Sequence, residues 1–267
     1  MFYRLRDYYQ KAVEDLRYQG PEVLLWRIIV KLFSPVVRVD IQILFEYDLS
    51  QPIKERRALV DCEIRPAQES EMAALARQRY KPLPADNDTP LTDSEEYDRA
   101  LYERQVADLG NDYLKESIKR LRAGEMCFVA RIGDEFAHSN WIRFDWCDPS
   151  PERHVHLFPG EVYTSDGHTL EPWRGQRLHE AVNAAMLRYA GNMGCTRAYT
   201  ITDLTLAWSR RGVRRVGWTR RGHHMFITPR GLRKTWILRL GGNVEPIFRT
   251  VLDSPLVRHA DEPSSRA

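Results

Sequence analysis

One segment constrains this chain more than any other: His168-Thr-Leu-Glu-Pro-Trp-Arg-Gly-Gln-Arg-Leu-His-Glu-Ala-Val182. A strand entering it must stop at Pro172, which has no N–H to give to a central ladder. Beyond Arg174–Gly175, the apolar residues Leu178, Ala181, Val182, Ala185 and Tyr189 recur on one face at helical spacing. A chain that passes from strand to helix through so tight a turn leaves the first N–H groups of the helix without helical acceptors. With the positive end of the helix dipole, they form a site for an anion of pyrophosphate size. Gly175 permits close backbone approach, and Arg174 and Arg177 add charge-assisted hydrogen bonds.

The elements around this turn alternate between strand and helix. Expected strands are Cys62–Arg65, Met126–Ile132, Phe136–Phe144, Glu161–Leu170 (kinked at Gly167), Thr196–Thr202, Trp218–Thr228 and Trp236–Leu240. Expected helices are Glu69–Arg79, Glu95–Arg122 with a break near Gly110, Gly175–Gly191 and Leu204–Val216. Gly133–Asp134 reads as a hairpin turn, and Tyr80–Ser94 and Asp148–Pro159 read as loops. The expected domains are an N-terminal extension over 1–60, an α/β domain over 61–252 and a flexible tail over 253–267. The extension holds a polar helix over 3–18, the apolar segment Val23–Phe33 and a strand over Val36–Tyr47. Arg27 and Lys31 interrupt Val23–Phe33, so it reads either as a helix packed on the domain or as one lying on a membrane surface.

The motif Leu170-Glu-Pro-Trp-Arg-Gly-Gln-Arg-Leu178 resembles the signature of the GNAT superfamily of N-acetyltransferases. In that family an aliphatic residue and a Pro close a strand, and an aromatic residue, Arg, Gly and a glycine-rich stretch open a helix. Gly194-Cys-Thr-Arg-Ala-Tyr-Thr-Ile-Thr202 resembles the family's next strand, and Ser209 to Val216-Gly217-Trp218 its last motif helix. The resemblance runs from roughly Cys62 to Thr228. Arg177 and His179 stand where the second and third loop glycines are usual, and Leu206 where an Asn is common. Val213 stands where the family often has a Tyr as general acid.

The resemblance implies a GNAT-like α/β fold, with a mixed, mostly antiparallel sheet flanked by helices. It implies acetyl-CoA or another acyl-CoA as co-substrate, no metal, and direct attack of a primary amine on the thioester. The pantetheine arm would lie in a gap between two splayed strands, against the backbone of Thr169 and Leu170. The pyrophosphate would rest on the N–H groups of Arg174, Gly175, Gln176, Arg177 and Leu178. Asp166, His168 and Glu161 are the candidate bases and Tyr163 a candidate acid; His168 titrates near neutrality when unperturbed. Strand alternation puts Asp166, His168 and Leu170 on one face. The absent Tyr and loop glycines also motivate a non-catalytic reading, a module that binds acyl-CoA or a protein partner.

Composition narrows the rest. A formal charge of +3, from 40 basic and 37 acidic residues, argues against a general nucleic-acid coat. Basic function must then be local, as in Arg210, Arg211, Arg214, Arg215, Arg220 and Arg221. This cluster reads either as a solvated helix face or as an attractor of an anionic ligand. Cys62, Cys127, Cys147 and Cys195 match neither a metal pair nor a disulfide framework, and His154 and His156 lack a third ligand. The absence of a signal peptide or of a ~20-residue apolar run suggests a cytoplasmic location. The amine acceptor is unknown, and a homodimer is an arrangement the sequence leaves open.

Overall fold

The structure is a computed structural model that describes residue 30 and residues 33–81, 93–150, 153–230 and 236–240. In chain order its elements are β1 (Val37–Asp48), β2 (Glu63–Pro66), α1 (Met72–Arg79), α2 (Asp93–Arg122), β3 (Met126–Ile132), β4 (Glu135–Arg143) and β5 (Trp146–Ser150). There follow β6 (Arg153–His156), β7 (Glu161–Thr169), α3 (Leu178–Asn192), β8 (Arg197–Asp203), α4 (Ala207–Val216), β9 (Thr219–Pro229) and β10 (Trp236–Leu240). This is an α/β fold built on mostly antiparallel strands with flanking helices. The helix expected over 3–18, most of Val23–Phe33, most of the Tyr80–Ser94 loop and the tail lie outside the described residues.

The chain divides into two compact units. The first holds residues 1–52, 145–163 and 194–267, and the second holds 53–144 and 164–193. In the first, the strand order is β10-β9-β1-β8. β1 pairs antiparallel with β8 from Gln42↔Asp203 to Asp48↔Arg197, and with β9 from Val37↔Pro229 to Glu46↔Thr219. Hydrogen-bonded on both edges, β1 is part of this unit's sheet rather than an appendage before it. Its run Ile43, Leu44 and Phe45 is buried without alternation, the pattern of a strand covered on both faces. Leu44 packs with Cys147, Tyr163, Tyr199 and Phe226. The segment read as a loop over Asp148–Pro159 instead contributes to the β5–β6 hairpin, paired at Trp146↔His156, Cys147↔Val155 and Ser150↔Arg153. Pro149 and Pro151 obscure this hairpin in the sequence, because prolines read as loop.

In the second unit the order is β7-β4-β3-β2. β3 and β4 form the expected hairpin, with Gly133 at φ 57 in the turn and register pairs from Met126↔Ile142 to Ile132↔Glu135. Met72, Leu75, Cys127, Val129, Phe136 and Trp141 form the core beneath α1 and α2. The break expected at Gly110 is absent, and α2 runs through it. A Cβ on Gly110 would lie 3.6 Å from the Tyr80 Cβ and 3.9 Å from the Ala76 carbonyl oxygen. Both are ordinary van der Waals distances, so the packing tolerates glycine here without requiring it.

A buried ionic cluster spans this unit. Glu125 Oε2 accepts from Arg120 Nε at 2.7 Å and from Arg143 Nε at 2.8 Å, and all three side chains are under a tenth exposed. The Arg120 guanidinium lies 3.9 Å from the centroid of the Trp141 ring and reaches Asp166 Oδ2 at 3.4 Å. Removing a buried carboxylate strands its cations, a loss of about 3–5 kcal/mol. We therefore predict that Glu125→Ala lowers unfolding free energy by that amount in urea titrations. Arg57→Ala, at an exposed pair, should change it by about 0.5 kcal/mol or less.

Candidate functional site

The turn after β7 is pinned before it opens. The Leu170 N–H donates to the Ala137 carbonyl at 3.0 Å, fastening the strand end to β4. Glu171–Trp173 then form one 3-10 turn in which Trp173 N–H donates to Leu170 O (3.0 Å) and Arg174 N–H to Glu171 O (3.2 Å). The Trp173 indole N–H donates to Glu135 Oε2 at 2.8 Å, tying the turn to the start of β4. The Leu170 and Arg174 N–H groups are thus engaged within the protein.

Two left-handed residues follow, Gly175 at φ 84 and Arg177 at φ 57, ψ 21. They delay α3 to Leu178, three residues later than expected. Ala181 N–H donates to the Arg177 carbonyl at 3.1 Å, and no side chain caps the helix. The N–H groups of Leu178 and His179 therefore lack acceptors inside the helix, beside exposed Arg174 and Arg177. No atom lies within 4 Å of where a Cβ on Gly175 would be, so a bulky anion has room to approach. Leu59 N–H donates to the Gln176 carbonyl at 2.9 Å, and Ile53 meets the far end of α3 at Gly191. This Ile53–Leu59 strap went unseen in the sequence because its polar run has no periodicity.

The four candidates on β7 have different surroundings. Asp166, not Gly167, carries the backbone irregularity, with φ 58. Its carboxylate accepts from Arg79 Nη2 at 2.7 Å as well as from Arg120. This left-handed residue interrupts the alternation that was to align Asp166, His168 and Leu170. His168 is partly buried, and burial, then Arg79, then Arg174 hold its imidazole below the usual range against the opposing pull of Asp166. Glu161 and Tyr163 belong to the first unit. Glu161 accepts from the Tyr199 hydroxyl and from Phe158 N–H, both at 3.1 Å, while Tyr163 is buried in the Leu44 cluster.

Sequence reasoning missed a histidine pair beside the turn. His138 Nδ1 and Thr169 Oγ1 are 2.7 Å apart, and the His138 and His179 rings meet edge to face at 5.3 Å. Asn183 Nδ2 lies 3.3 Å from the His179 ring nitrogens. A Cβ on Gly167 would come within 3.2 Å of the His179 ring, so Gly167 makes the room that this histidine fills. The only signal in the sequence was His179 itself, in place of a loop glycine.

Burial lowers His179 to about 4, with Glu180 opposing weakly, and burial with the neighbouring His179, His168 and Arg79 charges lowers His138 further below 6.5. The folded state thus refuses protons that the unfolded chain accepts below about 6.5. Stability should be flat above that pH, fall as pH drops from about 6.5 towards 4, and stay reduced below it. Urea titrations at stepped pH check this, and His179→Asn should flatten part of the slope.

No family model matches the chain, and no curated protein matches it. Among solved structures it is similar to a conserved protein of unknown function from Staphylococcus epidermidis (12% identity, TM-score 0.43, 79% of this chain and 68% of that one). It is also similar to the GCN5-related N-acetyltransferases of Kribbella flavida (14%, TM-score 0.43, 75% and 63%) and Sphaerobacter thermophilus (14%, TM-score 0.42, 81% and 58%). The chain thus spans between 58% and 68% of the length of these three. Likeness at this level decides nothing about activity.

Proposed function

We propose that the protein is an acyl-CoA-dependent N-acyltransferase that passes a short acyl group, most simply acetyl, to a primary amine. The observation that carries this reading is the turn itself. Gly175 and Arg177 take left-handed backbone conformations just before α3, whose first N–H groups lack helical acceptors, and Arg174 and Arg177 beside them are exposed. A diphosphate with bulk beyond it suits that arrangement.

In the second unit, His168 is the side chain best suited to handle the proton. With its pKa lowered, it is neutral at pH 7 and ready to accept one. Asp166 holds Arg79 and Arg120 as their counterion, and Glu161 is bonded to Tyr199 and Phe158, so both carboxylates are already committed. The amine nitrogen, relieved of a proton, attacks the thioester carbonyl; the C–N bond forms, the C–S bond breaks, and the thiolate takes up a proton as it leaves. Arg177 and His179 in place of the loop glycines also motivate a second reading, a module that binds the coenzyme without turnover.

One prediction tests the binding site common to both readings, and a second, on turnover, separates them. Calorimetric titration should show acetyl-CoA binding to the wild type, a weak or absent response to ATP, and no binding to folded Gly175→Asp. Unchanged affinity in Gly175→Asp would remove the turn as the site. With an acceptor in hand, His168→Gln should lower kcat by about 10²–10⁴ while leaving acetyl-CoA affinity intact. The acid limb of the wild-type kcat/KM profile should fall below pH 6.5, because activity needs the neutral imidazole. Tight binding with no acceptor-dependent CoA release across an amine panel would favour the module.

A further inference from the structure

The segment Ile53–Leu59 has no helix or strand of its own and runs beside α3. Ile53 lies against Gly191 at the far end of that helix, and Leu59 N–H donates to the Gln176 carbonyl at 2.9 Å, in the turn before the helix begins. Side-chain burial is a minor part of this second contact, because Leu59 is 60% exposed. Arg57, two residues earlier, pairs with Glu55 of the strap itself. What Leu59 brings to the turn is its backbone N–H.

The carbonyl that accepts it belongs to the peptide between Gln176 and Arg177. This peptide is trans, so its C=O and N–H point in opposite directions. A carbonyl fixed on the strap therefore directs Arg177 N–H away from the strap. Arg177 is the N-cap of α3, and its N–H has no acceptor among the described residues. The same peptide governs the Arg177 backbone. At φ 57 and ψ 21 this residue is left-handed, a conformation disfavoured for residues other than glycine. Turning the 176–177 peptide over would return φ to a negative value and relieve that cost. It would also break the bond to Leu59 and carry Arg177 N–H to the strap side. The hydrogen bond from Leu59 thus opposes a relaxation that backbone sterics favour.

We propose that Leu59 is a positioning residue: its N–H, on the Gln176 carbonyl, holds the 176–177 peptide so that Arg177 N–H stays open to a phosphate oxygen of the ligand at the turn. The ligand class, a diphosphate ester, rests on the acyl-CoA reading; the orientation of the peptide does not.

Exchanging Leu59 for leucic acid, its α-hydroxy counterpart, replaces the N–H by an ester oxygen and keeps the side chain. Leu59→Pro removes the same N–H, and Leu59→Ala keeps it. Calorimetry of the full chain with acetyl-CoA, and separately with inorganic pyrophosphate, should show both affinities about tenfold lower in the ester and proline variants. In Leu59→Ala they should stay within about twofold of wild type, since the N–H remains. Circular dichroism and thermal unfolding give the folded fraction to which each affinity is referred. A strap that only stabilised the fold would lower the melting temperature and leave that affinity unchanged. Wild-type affinity in the folded ester variant would overturn the proposal. So would an equal loss in Leu59→Ala, which would move the effect to the side chain. If the wild type binds neither ligand, the turn is not an anion site, and the acyl-CoA reading falls together with the proposal. If wild type and all variants bind alike, the proposal alone falls.

Discussion

The carboxylate of Asp166 is the point on which the second unit turns. A non-glycine residue at φ 58 is strained by about 1–2 kcal/mol, and such a residue persists only where its surroundings over-determine it. Arg79 and Arg120 supply that determination, from α1 and α2, by gripping the carboxylate of a β7 residue. Arg120 is itself fixed by Glu125 and by the face of Trp141, so the strain at β7 is balanced by a cluster that reaches into the core. The next residue is Gly167, whose missing side chain is the space His179 occupies. Two helices thus set the strand that feeds the turn, and the turn sets the start of α3.

The same economy explains why Arg177 can stand where a glycine would be expected. What the turn needs there is a left-handed backbone and an N–H, and an arginine can supply both. Arginine in this conformation costs about 1–2 kcal/mol relative to glycine, lessened by the smaller backbone entropy it loses on folding. In exchange an exposed cationic residue occupies the N-cap position of α3. His179 is a different case, since its ring goes inward against Gly167 and His138, and burial keeps both rings neutral. One departure from the glycine pattern adds charge to the turn, and the other adds packing beneath it.

Local patterns made much of this legible in advance. The β3–β4 hairpin, α3 and α4 each carry a periodicity and a terminator within their own residues, and each is found within a few residues of its expected bounds. What escaped depends on residues far apart in sequence. The place of β1 between β8 and β9 is decided by partners more than 140 residues away, and nothing within Val37–Asp48 distinguishes a central strand from an appended one. Gly110 looked like a break because glycine is a poor helix former, yet α2 runs through it. Likewise, the backbone bonds of Leu170 and Arg174 decide which donors remain for a ligand, and only Ala137 and Glu171 show that they are taken.

A net charge of +3 says little about how arginine is used here. Arg120 and Arg143 are buried with Glu125, and Arg79 is partly buried with Asp166, so that each cation is met by a carboxylate at hydrogen-bond distance. In α4 the arginines are clustered on a solvated face with no acid in the helix, where water screens each charge and mutual repulsion is the residual cost. An unpaired guanidinium in the core would unfold the unit, so what lets arginine hold structure there is the carboxylate beside it, not the arginine alone.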